Sequence, residues 1–516
     1  MVNYNLAGGS LVGVFFTFIT WAFAVYFFFL TYRAFTKNDS GSMKYVYLLI
    51  TVLYTIYAVL ITRDLWGIYS RRRKFKGLAE DLIDDEVPEG GTDGEAPVEQ
   101  PVIEGRLPKI RDFGDTPVIP RTEDDTLSFD QFLEIYKTDK FIDQYSGSLL
   151  IMLKKKIKEY SQELKTLNRT IDTLSGAGQT DKTDHGPLER ARQTRDQLKN
   201  ILKELRQRII GFNRETVIRD LDLAVRHPKH GILSLMGRQN IKDFLALQIF
   251  TFARNLKIFS CNFQNIAVYG DSGLGKTKIG DTVAYVYSKT GILACQKMNI
   301  VTKTDLTNMY INGSSDITRK HINNSLEGVL FIDEAYELAP DHHNNNSEVI
   351  TELVKAMDVH KGKFVVIVAG YEFDMRTKFM TANEGLPRRF PHQLSLDKYT
   401  PGELTNILIS FIENSCEDLE IVDHEAQYLY GRMKELSKVP KLLDKQAGDM
   451  FNLSGEIVRS IYGHLDITWS QTDLDNNIRL LSRGFNGFLR AKGKGKVCEE
   501  PTILSPDAPR PSVTGI

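Results

Sequence analysis

One short run constrains this chain more than any other feature. Gly270-Asp271-Ser272-Gly273-Leu274-Gly275-Lys276-Thr277 fits the spacing GxxxxGK[ST] and directly follows an apolar stretch, Ile266-Ala267-Val268-Tyr269. Glycines at those places let backbone N–H groups curl around phosphate oxygens. Lys276 is then placed to reach the β- and γ-phosphates, and Thr277 to ligate Mg²⁺. The residues that follow, through about Ser288, read as a helix whose N-terminus faces the phosphates. Strand, glycine loop and helix in that order predict an α/β fold around a parallel sheet.

Two further apolar runs extend the sheet. Gly328-Val329-Leu330-Phe331-Ile332 is continuous, as a strand buried on both faces must be, and ends in Asp333-Glu334. Such a carboxylate pair at a strand's C-terminal end suits a phosphate-loop NTPase. Asp333 would hold the Mg²⁺ shell and Glu334 would orient or activate the attacking water. Phe364 to Ala369 forms a third strand and leads into Gly370-Tyr371. The alternation of strands and helices places helices on both sheet faces.

The segments Gly-Val-Leu-Phe-Ile-Asp-Glu-Ala-Tyr (328–336) and Val-Ala-Gly-Tyr (368–371) resemble the AAA+ ATPases of the CbbX/SpoVK type, a group that includes the red-type Rubisco activases. The resemblance runs from about 230 to 410, continues more weakly through the lid to about 495, and does not touch the first 225 residues. It implies a large ATPase subdomain over 229–397, a helical lid over 398–497, and a homo-oligomeric ring, a hexamer in the family. ATP and Mg²⁺ are the implied cofactors. Met309-Tyr310-Ile311 looks like the family's pore loop, in which Tyr310 and Ile311 would grip a polypeptide; an ordinary packed Tyr is the alternative. Pro387-Arg388-Arg389 stands where the family commonly has Arg-Ser-Arg, so Arg389 is the favoured arginine finger and Arg388 the second choice. A surface basic pair is the other reading. Tyr371 occupies the position of a polar sensor, where it could bond water or phosphate or simply pack. Near Leu235-Met236-Gly237 the family closes over the adenine. The lid departs from the pattern: the best match to its sensor motif is Asn452 to Arg459, with Glu456 in place of the sensing Arg.

The N-terminal end belongs to a different kind of protein. Val2 to Tyr32 holds no charged residue, and Leu11 to Leu30 is densely apolar, enough for a bilayer core. A second uncharged run spans Tyr45 to Thr62. A cleaved signal peptide or buried core helices are the competing readings, opposed by the missing basic n-region and the missing polar face. Arg71, Arg72, Arg73, Lys74 and Lys76 follow the second run. The positive-inside rule then makes residues 1–70 a transmembrane hairpin and puts the ATPase region in the cytosol. The protein is expected to be multi-pass, with the lipid bilayer as one partner.

Residues 71–125 read as a basic, then acidic, flexible linker; Glu80 to Glu104 alone carries ten acidic residues and no basic one. Within 126–228 a heptad follows: Leu150, Leu153, Ile157, Tyr160, Leu164, Leu167, Ile171 and Leu174. After a polar break it resumes at Leu188, Ala191, Arg195, Leu198, Leu202, Leu205 and Ile209, which predicts an antiparallel coiled-coil hairpin. Arg195 on that seam is a candidate for register or partner selection. Pro501 to Ile516 closes a disordered tail, 498–516.

Composition sets the outer limits. Lys and Arg number 65 against 66 Asp and Glu, so a uniformly basic nucleic-acid coat is excluded. Cys261, Cys295, Cys416 and Cys498 are too far apart for a CxxC metal site or a disulfide scaffold. The expected function is a membrane-anchored ATPase that remodels or unfolds a protein client through a ring pore. The alternatives are a nucleotide-dependent membrane scaffold with little hydrolysis and, behind it, a nucleic-acid motor, for which no recognition signature is present.

Overall fold

The computed structural model describes residues 109–115, 127–177, 186–307, 313–340, 346–416, 419–463, 469 and 473–493. The two apolar runs, the basic cluster, most of the linker, Tyr310 and Ile311, and the tail lie outside the described residues. Among the described residues no helix is long and apolar enough to cross a membrane.

Five parallel strands make the central sheet: β1 (Ile266–Tyr269), β2 (Met298–Val301), β3 (Val329–Ile332), β4 (Val365–Gly370) and β5 (His392–Ser395), ordered β2-β3-β4-β1-β5. Register pairs Val268 with Ala369 and Phe331 with Ile367. The three inner strands are buried at every position, which is why they are legible as unbroken apolar runs. The edge strands β2 and β5 carry Asn299, His392 and Gln393 and are half-buried, so hydropathy does not announce them.

The longer helices are numbered in chain order: α1 (Phe129–Ile135), α2 (Asp139–Ala177), α3 (Gly186–Ile210), α4 (Arg214–Arg226), α5 (Gln239–Arg254), α6 (Lys276–Lys289), α7 (Gly313–Asn324), α8 (Asn346–Val359), α9 (Pro401–Ser415), α10 (Asp423–Ser437), α11 (Ala447–Tyr462) and α12 (Leu474–Ala491). Helix α6 lies tight on the sheet because residue 280 is glycine; a Cβ there would stand 2.6 Å from the Phe331 ring. Helices α9 to α12 form the lid around a separate core that includes Leu408, Ile412, Leu429, Met450, Leu453 and Phe485.

Helices α2 and α3 pack as an antiparallel pair. Leu149, early in α2, and Arg208, late in α3, meet at Gly291. The heptad positions Leu150, Leu153, Tyr160 and Ile171 on α2, and Leu198, Leu202, Leu205 and Ile209 on α3, are buried. Arg195 is 29% exposed and bonds its own neighbour, Asp196, at 3.1 Å. The pair is not a free arm. Its base is fastened to the ATPase body: Tyr160 donates to Glu327 Oε1 (2.7 Å), and Lys156 Nζ bonds Glu327 Oε2 (2.5 Å) and the Ile292 carbonyl (3.0 Å). Glu327 is fully buried.

Residues 109–115 depart from the expected flexible linker. They lie on the lid, held by Asn406, Asp423, Gly402 and Tyr430.

Candidate functional site

Strand β1 delivers the chain into the glycine loop at the sheet's C-terminal edge, where ligands sit in open parallel sheets. Gly273 and Gly275 hold φ of 78° and 84°, a left-handed backbone that favours glycine. Gly273 is also required by a neighbour: a Cβ there would fall 1.8 Å from the Lys445 carbonyl oxygen. Lys276 opens α6 and is 7% exposed. Its ammonium donates to the carbonyls of Gly270 (2.9 Å) and Asp271 (3.2 Å), so it is held within the loop it follows. Asp271, Ser272 and Thr277 are exposed, while Leu274 is buried beneath them.

The end of β3 brings Asp333 and Glu334 to the same edge. The Asp333 carboxylate accepts the Glu334 N–H at 3.1 Å, closing a turn in which Glu334 holds φ 50°. The Glu334 Oε2 is buried with no hydrogen-bond partner among the described residues. Burial, together with a hydrogen bond to the Glu334 carboxylate, holds the Tyr336 phenol well above its ordinary range. Tyr371, 37% exposed at the end of β4, stands 6.0 Å from the Tyr336 ring, and Lys276 Nζ lies 5.3 Å from the Tyr371 ring. Lys276, Glu334, Tyr336 and Tyr371 thus converge. Tyr336 was not singled out in the sequence, although it follows the acidic pair by two residues.

The lid closes the other side. Ala447 N–H, opening α11, donates to the Gly273 carbonyl at 3.1 Å. Tyr399 donates to the Leu274 carbonyl (3.2 Å), and its backbone N–H bonds Gln446 Oε1 (3.1 Å). Arg238 lies 3.7 Å over the Tyr399 ring and donates to the carbonyls of Leu274 (3.1 Å) and Asp397 (2.6 Å). Arg238 follows Leu235-Met236-Gly237, so that segment does reach the site. Arg238, Tyr399 and Gln446 belong to no local pattern, and sequence reading missed them.

The structure also places the arginine pair and Glu456. Arg389 is 5% exposed and tied inside its own subunit: Nε donates to Asp358 Oδ1 (3.1 Å), Nη2 to Asp358 Oδ2, and Nη1 to the Gly385 carbonyl (2.9 Å). Arg388 is exposed. To act on a neighbour's nucleotide, the Arg389 guanidinium would have to break that pair, whereas Arg388 is already on the surface. Glu456, which stands in place of the family's sensing Arg, lies away from the glycine loop. It lies nine residues along α11 from Ala447, roughly 13–14 Å at the helical rise, where it pairs with Arg459 and neighbours Gly487. The lid residues at the glycine loop are instead Lys445, Gln446 and Ala447.

Residues 266–394 match the model of the ATPase family associated with various cellular activities (AAA). A putative cfxQ-like protein of Acanthamoeba polyphaga mimivirus is 35% identical over 181 residues, covering 35% of this chain and 45% of that protein. The ESX-3 secretion system protein EccA3 of Mycobacterium tuberculosis is 32% identical over 169 residues, 32% of this chain and 26% of its own length. The CfxQ homolog of Pyropia yezoensis is 29% identical over 246 residues, 47% of this chain and 75% of that protein. The chain spans less than half the length of the first two. The glycine loop, the paired carboxylates and the family match coincide in one segment, and residues 266–394 are an AAA ATPase domain, an ATP hydrolase.

Proposed function

We propose that the protein is a membrane-anchored AAA+ ATPase that couples ATP hydrolysis to remodelling of a protein client. The observation that carries the reading is that Tyr371 lies between Lys276 and Tyr336, the neighbour of Glu334, whose buried Oε2 lacks a partner among the described residues. A buried carboxylate oxygen left in this state suits a group that orients a water at a phosphate. The residues fit a nucleotide with a divalent cation: the glycine loop Gly270 to Gly275 would cradle phosphates, Lys276 would give up its loop carbonyls for phosphate oxygens, and Thr277 and Asp333 would hold Mg²⁺. The cation would supply charge neutralisation between the phosphates. Tyr371 stands where its hydroxyl can contribute to the same pocket. Arg388 on the exposed surface is the better candidate to act on a neighbour's nucleotide, with Tyr310 and Ile311 as the client-gripping pair.

The anchor rests on the two uncharged runs and the basic cluster after them, and the ring on the AAA family match. The second reading, a nucleotide-dependent scaffold with little hydrolysis, is favoured by the burial of Arg389 in an intrasubunit pair. ATP turnover of the full chain in lipid nanodiscs separates the two. Turnover lost on Glu334→Gln with ATP still bound supports the motor. A wild type that binds ATP and does not hydrolyse it supports the scaffold.

A further inference from the structure

Residues 109–115 make a set of contacts that the ATPase reading does not use. The Asn406 side-chain amide reads both backbone groups of Arg111: Oδ1 accepts its N–H at 3.0 Å, and Nδ2 donates to its carbonyl at 2.8 Å. The Arg111 guanidinium reaches Asp423 Oδ1 (3.1 Å) and the Ile421 carbonyl (2.5 Å). Phe113 stacks on Tyr430 with centroids 4.5 Å apart and planes 14° from parallel. Asp115 accepts the Gly402 N–H at 2.7 Å in the first turn of α9 and neighbours the Thr400 hydroxyl at 3.4 Å. A carboxylate at that helix end meets an unpaired N–H and the positive end of the helix dipole.

The lid makes room for this segment. A Cβ on Gly402 would stand 2.3 Å from Asp115 Oδ1 and 3.1 Å from the Phe113 ring. Arginine, aromatic and acid at alternate positions each meet a matching group: a carboxylate, an aromatic face and a helix N-terminus. Asn406 recognises the backbone of Arg111, as an edge strand would.

The site also adjoins the lid's contact with the glycine loop. Thr400, beside Asp115, is the next residue after Tyr399, which bonds the glycine loop. Besides the contacts at the glycine loop, two stretches of chain run between the lid and the ATPase body. One is the segment 396–400. The other is the docked segment, which leads through residues 116–126 to α1, fixed on the body where Phe129 N–H donates to Asp243 Oδ1 at 2.7 Å. Those eleven connecting residues reach at most about 36–40 Å. The rim of the docked contact is open, with the Asp423 side chain 80% exposed and Lys109 61%, while the Arg111 side chain at its centre is 9% exposed. Contacts of that kind open more easily than a core.

We propose that residues 109–115 are an intramolecular latch: an Arg-x-Phe-x-Asp peptide seated in a dedicated groove of the lid, restraining lid motion against the ATPase body. Its kinetic consequence rests on the ATPase reading; its docking does not.

The test uses the full chain with Cys261 and Cys498 replaced by Ser. In Phe113→Cys/Tyr430→Cys, oxidation is expected to slow ATP turnover at least threefold, and reductant to restore it. An oxidised chain that turns over at the reduced rate overturns the restraint. In parallel, a fluorescein-labelled peptide of residues 107–117 is titrated by anisotropy. It should bind the latch-disabled chain Arg111→Ala/Phe113→Ala/Asp115→Ala. It should bind the wild type, whose groove is filled, and Gly402→Ala, whose groove is blocked, at least tenfold more weakly. Equal binding to all three, or binding to none, overturns the groove. If even the reduced chain fails to hydrolyse ATP, the nucleotide-site reading fails and the peptide titration alone decides the latch.

Discussion

Glu327 and Glu334 flank strand β3, and both hold left-handed backbone, at φ 56° and 50°. Glu327 enters the strand from the helical pair, where Lys156 and Tyr160 grip its carboxylate. Glu334 leaves it at the nucleotide edge, with one oxygen buried and unpartnered. Non-glycine residues in that conformation cost on the order of 1–3 kcal/mol each and persist where the surroundings over-determine them. One strand therefore joins the anchorage of the helical pair to the carboxylate proposed to orient the water.

Removing Lys156 tests the anchorage. Lys156→Met leaves the Glu327 carboxylate buried with Tyr160 and the Ala294 N–H as its remaining partners. Breaking one side of a buried ion pair costs about 3–5 kcal/mol. Urea unfolding should show that loss, and adding Glu327→Gln should recover part of it, because the two residues act as a unit. A single variant as stable as the wild type would show the pair to be dispensable.

The two adjacent arginines should separate cleanly. Arg389→Ala leaves Asp358 and the Gly385 carbonyl without their partner and is expected to cost ~1–3 kcal/mol of stability. Arg388→Ala should leave the melting temperature unchanged while lowering turnover of the assembled protein by about 10³-fold or more. Turnover preserved in Arg388→Ala, with oligomer size unchanged, removes it as the finger.

Tyr336 positions Glu334 and is not expected to contact nucleotide. Tyr336→Phe removes the hydrogen bond to the carboxylate. Turnover should fall roughly 3–10-fold, a small part of what general-base positioning contributes, with ATP affinity retained. The informative readout is the split between kcat and KM; a change confined to KM argues that Tyr336 touches the nucleotide instead.

Stability should fall on mild acidification. Burial lowers the pKa of His392, His360 and His227, with the positive neighbours Lys363 for His360 and Lys289 and Lys278 for His227 adding to it. The unfolded chain titrates these groups near 6.5 and so binds more protons below that pH. Stability then rises with pH through that window. Lowering the pH from neutral to about 5 should lower the denaturation midpoint, and His392→Asn should flatten the slope. Asp305 and Asp423, whose pKa values are lowered by hydrogen bonds from Thr302 and Arg111, act only in stronger acid. A midpoint independent of pH between 7 and 5 would contradict the burial of these rings.

The nucleotide loop, Asp333-Glu334 and the three inner strands were readable from the chain because each is a local arrangement. A loop at a strand end needs glycine where φ is positive, and a strand buried on both faces needs an unbroken apolar run. The heptads on α2 and α3 were readable for the same reason: their buried positions recur at a fixed spacing along one chain segment.

What only the tertiary structure decided lies between residues far apart in sequence. Arg388 and Arg389 are indistinguishable as letters, and Asp358 across the fold determines which one is buried. Arg238, Tyr399 and Ala447 reach the glycine loop from three separate segments. Arg111 meets Asn406 across 295 positions, from a stretch whose Pro, Gly and charge read as linker. Local backbone preference and hydropathy are written residue by residue. The partner of a buried charge, or the groove that receives a polar peptide, exists only once packing has brought distant residues together.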